Sequence, residues 1–240
     1  MEAQTPSVKT IAPLRNVALF SQLAERLRNR SPELPGMAVF TGSSGAGKTS
    51  AAIYTANRTR AYCVEAKSVW TRRHTCKMIL AEIGVSKPSG SIPEMVDEIG
   101  LELARSERPL IIDDAQLLFG NPATARMIRD IYKSAAGAAI ILIGEPDLAD
   151  QLKRIENIDS LMLERAQALP ANLADARHLA RLYCPGVTVG DGLLTKIVET
   201  TKGSIRRVCT RLDAVREVAA TAGLREVDVP ALPANFFGER

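Results

Sequence analysis

Gly42-Ser43-Ser44-Gly45-Ala46-Gly47-Lys48-Thr49 is the stretch on which the reading of this 240-residue chain turns. It has the form G-x-x-x-x-G-K-[ST] and lies between an apolar run, Met37–Phe40, and a helical pattern over Ser50–Arg60. That is the strand–loop–helix setting a phosphate-binding loop requires. Glycines let the backbone curl so that successive N–H groups point at phosphate oxygens. The helix N-terminus adds positive potential. Lys48 is placed to reach the β and γ phosphates, and Thr49 offers a hydroxyl to Mg²⁺. Gly42, Ser43, Ser44, Gly45, Ala46, Gly47, Lys48, Thr49 and Ser50 are therefore the expected nucleotide contacts, with ATP and Mg²⁺ as cofactors. The competing reading is a Gly/Ser-rich turn with a chance lysine. At ordinary glycine usage such a match arises roughly once per hundred chains of this length, and the flanking pattern lowers that further.

Working outward, Met37–Phe40, Ala61–Glu65, Leu110–Ile112, Ala138–Ile143 and Ala166–Leu169 predict strands. Helical periodicity lies between them over Ser50–Arg60, Thr71–Ile83, Ile92–Ser106 and Ala123–Ala135. Alternating strands and helices predict an α/β fold, a parallel sheet covered by helices on both faces. Upstream, Asn16 reads as the cap of a helix over Val17–Asn29 with Leu19, Phe20, Leu23 and Leu27 on its apolar face, and residues 1–15 read as a mobile lead-in. After Pro170 the strand signals stop. Asn172 can cap a helix over Leu173–Tyr183, Gly192–Thr201 gives a second, and Ser204 can cap a third carrying the stripe Ile205, Val208, Leu212, Val215 and Ala219. The expected organisation is an N-terminal segment and helix over residues 1–30, an α/β nucleotide-binding domain over 31–170, an all-helical domain over 171–225 and a tail over 226–240.

Composition narrows the class. Hydrophobic residues at 46% and charged residues at 24% exclude a mainly disordered chain. Lys and Arg total 31 against 27 Asp and Glu, a net charge of +4 that permits nucleic acid as a partner without demanding it. The longest uncharged, mostly small-apolar run, Ala135–Gly144, is far too short to cross a bilayer. Met1–Thr10 lacks the apolar stretch of a signal peptide, so a cytoplasmic protein without a membrane partner is expected. Four cysteines, Cys63, Cys76, Cys184 and Cys209, form no C-x-x-C pair and stand beside only two histidines. They read as reduced, small hydrophobic residues rather than a zinc site or disulfide framework.

The second chemical motif is Pro109-Leu110-Ile111-Ile112-Asp113-Asp114-Ala115-Gln116, an apolar strand ending in two carboxylates. The first is placed beside a phosphate-bound metal, and the second can orient or deprotonate an attacking water. Asp113 is thus the expected Mg²⁺ residue and Asp114 the expected base. An acidic strand end at the surface is the alternative.

Together the phosphate loop, the I-I-D-D-A-Q strand, the I-I-L-I-G-E-P strand end and the helical C-terminal segment resemble AAA+ ATPases. Within them the chain is most similar to the target-selecting ATPases of transposons and Mu-like phages, the group of B transposition proteins. The resemblance covers about Asn16 to Leu224 and includes the block from Asn16-Val17-Ala18-Leu19-Phe20 through Pro35-Gly36-Met37 to Lys48-Thr49. It implies a P-loop AAA+ core followed by a helical lid. It implies that Arg206, in Gly203-Ser204-Ile205-Arg206, faces the γ-phosphate, and that Arg165, just before the last strand, enters a neighbouring subunit's site as an arginine finger, with Arg154 as the rival. It places Glu145 at the end of the fourth strand, where the family usually has a neutral polar residue. Asp114 stands where the family commonly has Glu, which implies slow turnover.

Two basic groups remain. Arg126, Arg129 and Lys133 fall within about 60° of one another on a helix and read as a solvated face. Lys67, Arg72, Arg73 and Lys77 gather around a helix start beside Trp70. They read equally as a solvated face or as phosphate contacts to double-stranded DNA, which the family binds near this region. Trp70 reads as a partial core anchor. The function the resemblance implies is ATP-dependent, largely sequence-independent DNA binding by a homo-oligomer, a helical filament or ring, that directs a transposase and is disassembled by ATP hydrolysis. The setting would be a bacterial host cell, with the chain encoded by a phage or transposon. A helicase-loader-like or secretion-associated AAA+ ATPase, a monomeric P-loop kinase and a nucleotide-gated switch with negligible turnover are the alternatives.

Overall fold

A computed structural model describes residues 13–237; the first twelve positions of the expected lead-in and the last three of the expected tail lie outside the described residues. Residues 16–169 form one compact unit and the residues from Pro170 onward belong to a second.

The first unit runs α1 (Arg15–Arg28), β1 (Met37–Thr41), α2 (Lys48–Thr59), β2 (Tyr62–Glu65), α3 (Arg72–Ile83), α4 (Ile92–Ser106) and β3 (Leu110–Asp113). It continues through α5 (Gln116–Phe119), α6 (Pro122–Ser134), β4 (Ile140–Gly144), α7 (Pro146–Lys153), α8 (Glu156–Asp159) and β5 (Met162–Gln167). The strands pair in parallel in the order β2-β3-β4-β1-β5. Parallel strands flanked by helices bury both faces, so β1 and β4 are buried throughout and apolar but for Thr41 at the end of β1. Alternation divides their side chains. Met37, Val39, Leu110, Ile112, Ile140 and Leu142 join a core with residues of α3, α4 and α6. Phe40 points the other way and meets Phe20 of α1 edge to face, ring centroids 5.2 Å apart.

Helix starts follow local chemistry. Ser91 and Glu94 form a capping box before α4, and Thr71 and Asn121 cap α3 and α6. The boundaries of α3, α4 and α6 fall within a residue of those read from periodicity. Three expectations need correction. The last strand is Met162–Gln167, so Arg165 lies inside it and not before it. An edge strand pairs on one side only and tolerates charge, here the half-buried Glu164 paired with Arg26 and the exposed Arg165, which hides it from a search for apolar runs. Asn16 is not a cap: α1 begins at Arg15, and the Asn16 side chain is committed elsewhere.

The second unit holds α9 (Leu173–Tyr183), β6 (Thr188–Val189), α10 (Asp191–Thr200), α11 (Ile205–Ala222) and β7 (Glu226–Val227), followed by a 3₁₀ turn over Val229–Ala231. The third correction falls here. The unit is not all helical, because β6 and β7 pair in parallel and bury Val227, which the sequence assigned to a tail. Asn172 forms a capping box with Asp175 before α9. Ser204 occupies the cap of α11 but makes no side-chain capping bond. The stripe Ile205, Val208, Leu212, Val215 and Ala219 is buried as its spacing predicts. All four cysteines are free thiols; Cys76 and Cys184 are buried, while Cys63 and Cys209 are half-buried. Among the described residues no helix is long and apolar enough to cross a membrane.

Candidate nucleotide-binding site

The sheet reverses its strand order around β1, with β4 on one side and β5 on the other, and the loop after β1 opens at this switch point. Gly45 and Gly47 there have φ of 79° and 81°. These left-handed values cost a residue with a Cβ about 1–2 kcal/mol. Gly47 is the N-cap of α2 and supplies no capping side chain, which leaves the helix start suited to an anion. Lys48 is buried, and its ammonium donates to Gly42 O at 2.6 Å and Ser43 O at 3.0 Å.

Asp113 ends β3 at 3% exposure. Its Oδ2 accepts from the Thr49 hydroxyl at 2.6 Å, and its Oδ1 accepts from Asp114 N–H at 2.9 Å. Burial pushes the Asp113 carboxyl above the ordinary aspartate range. The Thr49 and Asp114 hydrogen bonds pull it back, the Asp114 charge adds to the rise, and the Lys48 ammonium opposes it. A desolvated carboxylate against a hydroxyl pairs two hard oxygen donors, the kind Mg²⁺ takes. Among the described residues no group of three or more His, Cys, Asp or Glu could hold a metal by itself. A nucleotide with Mg²⁺ therefore fits this site. Thr49 and Asp113 would hold the ion, and the curled loop and Lys48 would hold the phosphates.

Asp114 has φ of 51°, a conformation disfavoured outside glycine, at the position expected to act on water. Ala115 N–H bonds Ile143 O at 2.8 Å, and Gly42 N–H bonds Gly144 O at 3.2 Å, so the carboxyl ends of β1, β3 and β4 are stitched together. Glu145 follows β4 as the N-cap of α7, exposed, with no side-chain capping bond.

Two site residues carry roles the motifs did not signal. Asn16, 3% exposed, donates to Ala46 O and Leu169 O and accepts from Leu169 N–H, each at 2.9 Å. It ties the phosphate loop to the segment after β5. Gln116 donates to Asp114 Oδ1 at 3.2 Å and accepts from Glu145 N–H at 3.3 Å. A buried polar residue on an otherwise apolar helix face was the available signal for the first, and the Asp-Asp-Ala-Gln string for the second.

The remaining expected residues are dispersed. Arg165 forms an ion pair with Asp159 at the end of α8. Arg154 is exposed at the end of α7. Arg206 is the second residue of α11 in the other unit and is exposed. Lys67, Arg72, Arg73 and Lys77 surround the turn from β2 into α3, closed by Trp70 N–H to Lys67 O at 3.0 Å. Among the described residues none of these four forms an ion pair. Trp70 packs against the core and edge-on to His74, 5.4 Å between ring centroids. Arg129, by contrast, is paired with Asp130.

A family model described as an AAA domain matches residues 13–152. No curated protein matches the chain by sequence. Among solved structures, the chain is similar to the ORC2 protein of Aeropyrum pernix in its ADPNP-ADP complexes, with TM-score 0.71 and 15% identity over 96% of this chain and 69% of that one. The ORC1 protein of the same organism, in complex with DNA, gives TM-score 0.64 and 19% identity over 94% and 65%. The RuvB Holliday junction branch migration motor of Thermotoga maritima gives 0.62 and 16% over 95% and 70%. The chain thus spans about two thirds of the length of the ORC1 protein it resembles. At these identities the likeness shows the fold, a P-loop AAA+ core with a parallel five-stranded sheet. The matched domain shows the family: the chain belongs to the AAA domain family of ATPases.

Proposed function

We propose that this AAA-domain chain is an ATPase that binds double-stranded DNA when ATP-bound, assembles along it, and directs a transposase to that DNA. The observation that carries the ATPase reading is the joining of Lys48, Thr49 and Asp113 at the carboxyl ends of β1 and β3. Lys48 and the loop from Gly42 to Ser50 bind ATP, Thr49 and Asp113 hold Mg²⁺, and Asp114 receives the proton of the attacking water. Arg206 senses the γ-phosphate, and Arg165, released from Asp159, acts on a neighbouring subunit's nucleotide. Glu145 tunes turnover from the end of β4.

DNA binding rests on the cations Lys67, Arg72, Arg73 and Lys77 around the start of α3, which form no ion pair among the described residues, and finds support in the DNA-bound ORC1 structure of the same fold. The transposition role rests on the sequence resemblance. Ordering by ATP would multiply phosphate contacts along one duplex, and avidity would follow without base reading. The same resemblance supports a cytoplasmic setting in a bacterial cell. The left-handed backbone at the short Asp114 favours, as a second reading, a nucleotide-gated switch with very slow turnover.

The test is ATP hydrolysis with and without duplex DNA, using the wild type and a Lys67→Ala/Arg72→Ala/Arg73→Ala variant. DNA should stimulate the wild type only. Equal stimulation of the variant would remove these cations from the DNA contact.

A further inference from the structure

We infer that Gln116 is the positioning residue for Asp114, fixing the carboxylate against the end of β4; this rests on reading Asp114 as the group that takes the water's proton. The amide can stand in only one orientation. A carboxylate accepts and a backbone N–H donates, so the Gln116 Nε2 must face Asp114 Oδ1 and its Oε1 must face Glu145 N–H. Glutamine is the neutral side chain that bridges an acceptor and a donor at this span, and neither glutamate nor methionine can do both.

The surroundings are built around that amide. Gly144 provides the room: a Cβ there would stand 2.4 Å from Gln116 Oε1 and 2.7 Å from Leu148 Cδ2. Ala115 N–H to Ile143 O at 2.8 Å holds the backbone between the two acidic positions and Gln116 against β4. Asp114 itself sits at φ 51°, in the left-handed region, and its Oδ1 accepts from the Gln116 amide. Displacing a proton acceptor by about 1 Å can cost on the order of a hundredfold in rate. The Gln116 side-chain hydrogen bonds run to Asp114 Oδ1 and from Glu145 N–H, so its effect on turnover passes through Asp114.

The experiment measures kcat and KM for Mg·ATP by single-turnover and steady-state hydrolysis on the full chain. The variants are Asp114→Asn, Gln116→Ala, Gln116→Glu and Asp114→Asn/Gln116→Ala. Gln116→Glu fills the same space and keeps the acceptor for Glu145 N–H while setting a carboxylate in place of the donor to Asp114 Oδ1, so it removes the positioning bond without opening a cavity. We expect Gln116→Ala and Gln116→Glu each to lower kcat on the order of tenfold with KM within about twofold. In the Asp114→Asn background, Gln116→Ala should add less than about twofold, because its route is already closed. A structural role would instead lower the rate by the same factor in both backgrounds, and that result overturns the inference. So does a wild-type kcat in Gln116→Glu. If Asp114→Asn keeps the wild-type rate, the base assignment itself fails and takes this inference with it. A slow Asp114→Asn with additive Gln116 effects defeats only the positioning role.

Discussion

Lys48→Ala probes the phosphate loop at two levels. In the nucleotide-free chain Lys48 is 8% exposed and its ammonium holds two carbonyls, Gly42 O and Ser43 O, at 2.6 and 3.0 Å. Truncation leaves these acceptors without their donor, at a cost of about 1–3 kcal/mol where water does not replace it. It also removes a buried cation that has been desolvated, which offsets part of that cost. The net change in melting temperature is therefore small, on the order of a few degrees. Nucleotide binding has no such offset. Charge-assisted contacts are worth about 1.5–3 kcal/mol, which at 1.4 kcal/mol per decade is roughly ten- to 150-fold in ATP affinity. Titration of a fluorescent ATP analogue, read beside a thermal melt, separates the two levels. A variant whose melt shifts by no more than about a few degrees and whose binding is at least about tenfold weaker is the expected result. Unchanged affinity and unchanged turnover would show that nucleotide does not sit on this loop.

Other changes test neighbouring parts of the site. Burial holds the folded-state pKa of Asp113 above its unfolded value, so in that window the folded chain keeps a proton the unfolded chain has lost. Stability thus falls as pH rises through the window. Asp113→Asn should raise the melting temperature of the nucleotide-free protein at neutral pH, with the gain shrinking toward acid; a lower melting temperature at neutral pH would contradict the sign. Asn16→Ala strands Ala46 O, Leu169 O and Leu169 N–H and should cost about 1–3 kcal/mol, read by denaturant unfolding, with ATP affinity also reduced. Arg165→Ala loses only an exposed pair with Asp159, so folding should hold while hydrolysis falls. Mixed with Lys48→Ala it should regain some hydrolysis at junctions that combine one sound loop with one sound finger. Mixed assemblies that form yet stay inactive would pass the finger role to Arg154.

What the sequence carried of the fold was set by burial. Central strands such as Leu110–Asp113 and Ile140–Gly144 have helices on both sides, so their apolar runs are unbroken and could be placed. The strand Met162–Gln167 lies at an edge, where charge is tolerated, and it begins four residues before and ends two before the expected Ala166–Leu169. The two-residue strands Thr188–Val189 and Glu226–Val227 are shorter than any periodicity can register. The phosphate loop and Asp113 were legible because phosphate and metal chemistry fix residue type and spacing within a short stretch. Asn16 and Gln116 were not, because their roles depend on partners supplied by chain folding back: Ala46 and Leu169 for one, Glu145 for the other. Arg154, Arg165 and Arg206 are single arginines whose roles require a second subunit or a bound nucleotide, and spacing alone distinguishes none of them from a surface cation.

The central claim is that ATP couples self-assembly to binding of double-stranded DNA. Light scattering during size separation of the full chain with duplex DNA, with Mg·ATP, Mg·ADP or no nucleotide, and with Lys48→Ala as control, measures it directly. The account predicts multi-subunit complexes on DNA with ATP only, weakening steeply as salt rises, and none for the control. A monomer with unchanged DNA affinity in all three nucleotide states would contradict it.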